Sequence, residues 1–191
     1  MYTGSPVILA SQSPRRKQLM EQAGIPFVIK VADTDESFPA TMPIPEVPVF
    51  IARQKAAVIQ AISSPEEIVV AADTVVVLDN TIIGKPKDRE DAIRILTALS
   101  GREHLVITGV VIRRNEKEVA FSKETGVFFN PLTQEQIAYY VDNYKPYDKA
   151  GAYAIQEWIG AVAIDKIEGC FYNVMGLPVS RVVEELEKFD A

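Results

Sequence analysis

Two long runs of strand-forming residues, Glu103 to Arg114 and Lys117 to Phe129, meet at Asn115-Glu116. A polar pair between such runs predicts a hairpin and puts long antiparallel strands in the middle of the fold. The flanks alternate differently. Val7 to Ala10 reads as a buried strand, and Pro14 suits a first helical turn, where its missing N–H costs nothing. Leu19, Met20 and Ala23 give that helix an apolar face, and Gly24 stops it. Phe27 to Val31 is a second short strand, followed by an acidic, proline-bearing loop from Asp33 to Pro48. Helical spacing returns in Val49 to Ile62 and in Arg89 to Leu99. Ile68 to Leu78 is an apolar run broken only by Asp73-Thr74, and a turn at Asp79-Asn80 leads back through Thr81 to Ile83. Beyond the hairpin, Thr133 and Gln136 form a capping box for a helix reaching Val141. Lys145 to Gln156 reads as loop, Ile159 to Ile167 as strand, and Pro178 starts a last helix. This mixture predicts an α/β or α+β layered fold.

A chain of 191 residues can bury a substantial core, as one domain or two closely joined lobes. The formal net charge of -6 argues against binding along nucleic acid or to anionic membrane. No apolar run approaches the roughly 20 residues that cross a bilayer, and the N-terminus does not resemble a signal peptide. Cys170 is the only cysteine, which excludes an internal disulfide and a four-cysteine zinc site. His104 is the only histidine and leaves little room for a serine triad. Any metal would be a hard cation on carboxylates, water and substrate phosphate. The cytoplasm is the expected location.

Ser11-Gln12-Ser13-Pro14-Arg15-Arg16 stands where a buried strand ends and a helix begins. Unpaired N–H groups and the helix field favour an anion there, and guanidinium forks suit phosphate oxygens. Asp73 lies inside an apolar run where an unpaired carboxylate is heavily penalised, so a strand end or bulge is expected. It serves as metal ligand or base for water, or as a structural acid bonded to nearby N–H groups. Lys55 falls on or beside an apolar helix face and needs a partner. Lys85, between Gly84 and Pro86, meets a phosphate or is a solvated turn lysine. Glu36 and Glu46 lie in the proline-bearing loop, Glu46 equally suiting the next helix's first turn. In Asp148 to Gln156, Gln156 reads the edge of a base or bonds backbone, with Tyr153 in the core. Gly169 to Gly176, with Tyr172 and Asn173, is equally open. His104 reads as structural and Cys170 as a small packed side chain.

Together, Ser11-x-Ser13-Pro14-Arg15-Arg16, Ala72-Asp73-Thr74, Gly84-Lys85-Pro86, Lys149-x-Gly151-x-Tyr153-x-Ile155-Gln156 and Asn173 to Pro178 resemble the Maf family. The resemblance covers nearly the whole chain, 1–191, as a single Maf-like domain with two lobes. It implies a fold similar to the inosine triphosphate pyrophosphatases: an elongated mixed sheet with a cleft between the lobes. It also implies a nucleoside triphosphate substrate, a divalent cation (Mg²⁺ or Mn²⁺) and often a homodimer. By position, Asp73 matches the proton acceptor, and Arg15, Thr74 and Gln156 match residues that recognise a pyrimidine nucleotide. Ser13, Arg16, Lys55 and Lys85 match polar pocket residues, and Glu36 matches a cleft carboxylate. Glu157 departs from the glycine that many relatives carry after the glutamine, which bears on the loop and on base preference.

The expected activity is therefore hydrolysis of dTTP or UTP to the monophosphate and pyrophosphate. Asp73 and Glu36 would hold the cation, and Arg15, Arg16, Lys55 and Lys85 would neutralise the triphosphate. Such chemistry needs electrostatic preorganisation more than a protein nucleophile. Three alternatives stand beside it: a nucleotide sensor in septum formation with little hydrolysis, the same hydrolysis on modified pyrimidine triphosphates, and a nucleotidyltransferase. A requirement for an acceptor substrate would mark the last.

Overall fold

The computed structural model describes Tyr2 and Gly4–Asp190, Asp190 by its backbone alone. The chain divides into two compact units. One comprises Met1–Asp73, Thr108–Lys123 and Gly176–Ala191, the other Thr74–Ile107 and Glu124–Met175.

In the first unit, β1 (Val7–Leu9) runs parallel to β2 (Phe27–Ile29), with Val7 opposite Phe27. It also runs parallel to β3 (Val69–Leu78), with Ile8 opposite Val69. Parallel neighbours need a crossover, and α1 (Pro14–Gln22) supplies the one between β1 and β2. α2 (Val47–Ala61) follows a 3-10 turn at Ile44–Glu46, so it begins earlier than its apolar spacing predicts. Pro48 falls in the first turn, where no N–H is needed. Ala52, Ala56 and Ile59 of α2 join Ile8, Ala10, Val69, Ala71 and Val111 in one core cluster. Full burial of a side chain such as Ile59 contributes about 1.5–3 kcal/mol. The start of α2 sits directly on Gly109 of β5 (Glu103–Arg114), where an added Cβ would lie 2.2 Å from Val49 N. Only a glycine fits there. β6 (Lys117–Phe129) follows β5, and α7 (Val179–Asp190) buries Val182, Leu186 and Phe189.

In the second unit, β4 (Thr81–Ile83) returns antiparallel to β3, Val76 opposite Ile83. Asp79 and Asn80 both have positive φ, 49° and 57°, the conformation of a tight two-residue hairpin turn. α3 (Arg89–Leu99) packs against α4 (Gln134–Tyr144). Thr133 and Gln136 make the predicted capping box. α5 (Trp158–Ala163) precedes β7 (Ile164–Glu168), which pairs antiparallel with β6. The strand expected from Ile159 is thus a helical turn first: Ile159 and Ala163 share its buried face, and apolar composition alone does not separate the two states. α6 (Phe171–Met175) is short.

Among the described residues the strands pair in the order β2-β1-β3-β5-β6-β7, with β4 on β3. Parallel and antiparallel pairs occur together, the mixed α/β sheet that the sequence predicts.

Candidate active site

The first unit holds six of the residues singled out from the sequence: Ser13, Arg15, Arg16, Glu36, Lys55 and Asp73. Ser13 caps α1 in extended backbone (φ -66°, ψ 118°), and its hydroxyl accepts from Arg16 N. That first turn carries no acidic side chain. Two guanidiniums at the positive end of a helix oppose the helix field, so the arrangement gains by taking up an anion.

Arg16 is held firmly. Its Nε donates to Gly176 O at 2.8 Å, and Nη1 donates to Ser11 Oγ at 3.3 Å. Ser11 Oγ also accepts from Ser13 N at 3.2 Å, which ties the loop to the side chain it supports. Burial pushes the Arg16 pKa down, Asp73 and Glu36 pull it up, and Arg15 pushes it down again. These four charges therefore share one field. A guanidinium remains protonated throughout.

Lys55 lies at the centre of the acidic side. Its Nζ is 2.8 Å from Asp73 Oδ1 and 2.8 Å from Glu36 Oε1. The Lys55 and Asp73 side chains are 16% and 14% exposed, so each needs the other's charge. α2 brings the lysine there because Ala52 and Ala56, on the same side, are buried against the sheet. Asp73 itself is not at a strand end. It sits in mid-strand, half-buried like Thr74 beside it, with the buried Ala72 and Val75 flanking the pair. The strand does not end there because the ammonium satisfies the carboxylate.

Two carboxylates converge here on one ammonium, and carboxylate oxygens are the ligand type that a hard divalent cation takes. Two carboxylates do not make an all-protein cage. Among the described residues no group of three or more His, Cys, Asp or Glu is placed to hold a metal.

Thr74, Lys85 and Gln156 belong to the second unit. Thr74 is half-buried on β3, while Lys85 and Gln156 are exposed. The two glycine-bearing motifs of this unit meet: Gly151 N donates to Gly84 O at 3.1 Å. Gly151 has φ +70°, and a Cβ there would stand 2.9 Å from Val76 Cγ2. Tyr153 is buried, and its hydroxyl lies 2.8 Å from His104 Nε2. Phe129 packs edge-on against both rings. Burial lowers the His104 pKa to about 4 and raises that of Tyr153, so both are neutral framework groups near pH 7. Asn173 is likewise buried, donating to Val106 O and Thr125 Oγ1. Glu46 precedes α2 without capping it.

Sequence reasoning missed three supports. The Gly176 carbonyl is remote from Arg16 in the chain, and nothing local announces it. Ser11 was visible only as one hydroxyl of its motif. Tyr140 carries no motif at all, yet its hydroxyl accepts from Ala154 N at 3.1 Å and makes a short hydrogen bond to Glu157 Oε2.

The family model for Maf-like proteins matches residues 6–189. A dTTP/UTP pyrophosphatase of Bacteroides fragilis is 48% identical across 95% of this chain and 95% of its own length. Another, of Cytophaga hutchinsonii, is 50% identical across 95% of this chain and 83% of its own. Among solved structures, a HAM1 protein from Coxiella burnetii aligns with a TM-score of 0.50 at 14% identity. That alignment covers 97% of this chain and 100% of the other, a likeness of fold alone.

Proposed function

This chain belongs to the Maf family, and from that premise we propose that it hydrolyses dTTP and UTP to the monophosphate and pyrophosphate. The observation that carries the reading is the Lys55 ammonium held 2.8 Å from both Asp73 and Glu36, in one field with Arg15 and Arg16. A cationic helix start and paired carboxylates answer the two demands of a metal-bound triphosphate.

In this proposal Arg15, Arg16, Lys55 and Lys85 neutralise phosphate oxygens, and the Ser13 region adds N–H donors at the start of α1. Thr74 and Gln156 contact the nucleoside. Asp73 accepts a proton from the attacking water. The water oxygen bonds to the α-phosphorus, the bridge to the β-phosphate breaks, and pyrophosphate departs with the electron pair. Asp73 and Glu36 would hold a divalent cation, which when bound neutralises charge developing on the phosphates. No described helix is long and apolar enough to cross a membrane. A cytoplasmic location and a homodimer complete the proposal.

The test is product analysis with purified protein, Mg²⁺ or Mn²⁺, and dTTP, UTP or CTP in turn. The expected products are the nucleoside monophosphate and pyrophosphate, with dTTP and UTP preferred. Orthophosphate and a diphosphate would instead place the cut at the terminal phosphate and overturn the reading.

A further inference from the structure

Gln156, exposed to solvent, occupies a turn closed by Glu157 N donating to Ala154 O at 3.1 Å. The backbone of such a turn sets the direction in which its side chain leaves the chain. Both ends of this turn are fastened to one atom. The hydroxyl of Tyr140, a fully buried residue of α4, accepts from Ala154 N at 3.1 Å. The same hydroxyl donates to the Glu157 carboxylate. Donor and acceptor capacity of the phenol are thus both used, one on each side of Gln156.

The surroundings leave this fastening little play. Tyr140 stacks on Tyr144, with ring centroids 4.9 Å apart. Lys149, 8% exposed, reaches within 3.6 Å of Glu157 Oε1 and bonds Asp148 at 2.8 Å. Glu157 also anchors the next element, since its carbonyl accepts from Gly160 N at 2.9 Å. Upstream, the His104–Tyr153 bond fixes the segment only three residues from Gln156. The turn is therefore a preorganised mount for one exposed amide, and Glu157 fills the acceptor role with its side chain.

We propose that Tyr140 and Glu157 are positioning residues for base recognition, holding the Gln156 amide in the direction that distinguishes a uracil or thymine edge from a cytosine edge. This rests on the reading of Gln156 as a nucleoside contact. An amide that presents both a donor and acceptors can pair with either edge once free to turn. Preorganisation is what makes it selective.

The experiment compares kcat and KM for dTTP and CTP in Tyr140→Phe, Glu157→Ala, Glu157→Gln and Gln156→Ala, each with a thermal melt. Tyr140→Phe removes both hydrogen bonds of the phenol and Glu157→Ala one of them, which predicts a fall of roughly tenfold or more in the dTTP-over-CTP ratio of kcat/KM, carried by KM. Glu157→Gln keeps an acceptor for the phenol and is expected to restore most of the ratio. If Glu157→Gln loses as much as Glu157→Ala, the carboxylate acts by charge and the mount is wrong. If Gln156→Ala lowers the ratio while Tyr140→Phe and Glu157→Ala do not, Gln156 reads the base unaided and this inference fails alone. If Gln156→Ala leaves the ratio intact, the nucleoside role of Gln156 falls, and the inference with it. Should Tyr140→Phe fail to fold, the two Glu157 variants decide.

Discussion

The Lys55 ammonium stands 2.8 Å from Asp73 Oδ1, joining the side of α2 to the middle of β3. A helix face and a strand interior are both places where an unpaired charge is excluded. Together the two residues tolerate burial, because each supplies the opposite charge that its apolar surroundings lack.

Replacing Asp73 by Asn keeps the shape and removes the proposed base. Turnover of dTTP is expected to fall by about 100-fold or more, the usual reach of a positioned acid or base. Nucleotide affinity should change far less. Steady-state kinetics beside direct binding measurements separate the two, and comparable losses in both would remove Asp73 from the chemistry.

Replacing Lys55 by Met takes the ammonium away from Asp73, 14% exposed, and from Glu36, 49% exposed. The hydrogen bond to a charged group is worth about 1.5–3 kcal/mol, and stability should drop within that range. Urea unfolding at pH 7 reads it.

Gly151→Ala places a side chain at φ +70° against Val76. A left-handed L-residue costs roughly 1–2 kcal/mol before the Val76 contact is counted. A loss of stability is expected together with a weaker link to Gly84, whose carbonyl accepts from Gly151 N. A melting temperature equal to the wild type would show that the backbone there adapts freely.

His104 gives a pH signature. Its folded pKa, about 4, lies below the ordinary 6.5 because burial disfavours the imidazolium. Between those values the unfolded chain binds a proton that the folded chain refuses. The stabilising contribution is therefore full above pH 6.5 and is lost as pH falls toward 4, on the order of 3 kcal/mol in all. In His104→Phe that slope should vanish, so the stability gap between variant and wild type narrows with acid. A gap of constant size from pH 7 to pH 4.5 would contradict the burial argument.

Much of the secondary structure was legible because it is locally encoded. Ser13 and Pro14 start α1, Thr133 and Gln136 box the start of α4, and Asp79-Asn80 turn β3 into β4. The Ile159 segment was not legible, since a short apolar stretch suits a helical turn as well as a strand. The candidate site divides the same way. Residue types in their motifs marked Ser13, Arg15, Arg16 and Asp73, yet β3 runs on through Asp73 instead of ending there.

What the chain determines by itself is therefore its order of helices and strands and the chemical character of its motifs, for caps, turns and periodicity act between near neighbours. Only tertiary structure decided that Lys55 meets Asp73 and Glu36, that Arg16 bonds the Gly176 carbonyl, and that Tyr140 closes on both sides of Gln156. Each of these links joins groups from separate elements. Their distance is set by how side chains of the core pack, and no local pattern in the sequence contains it.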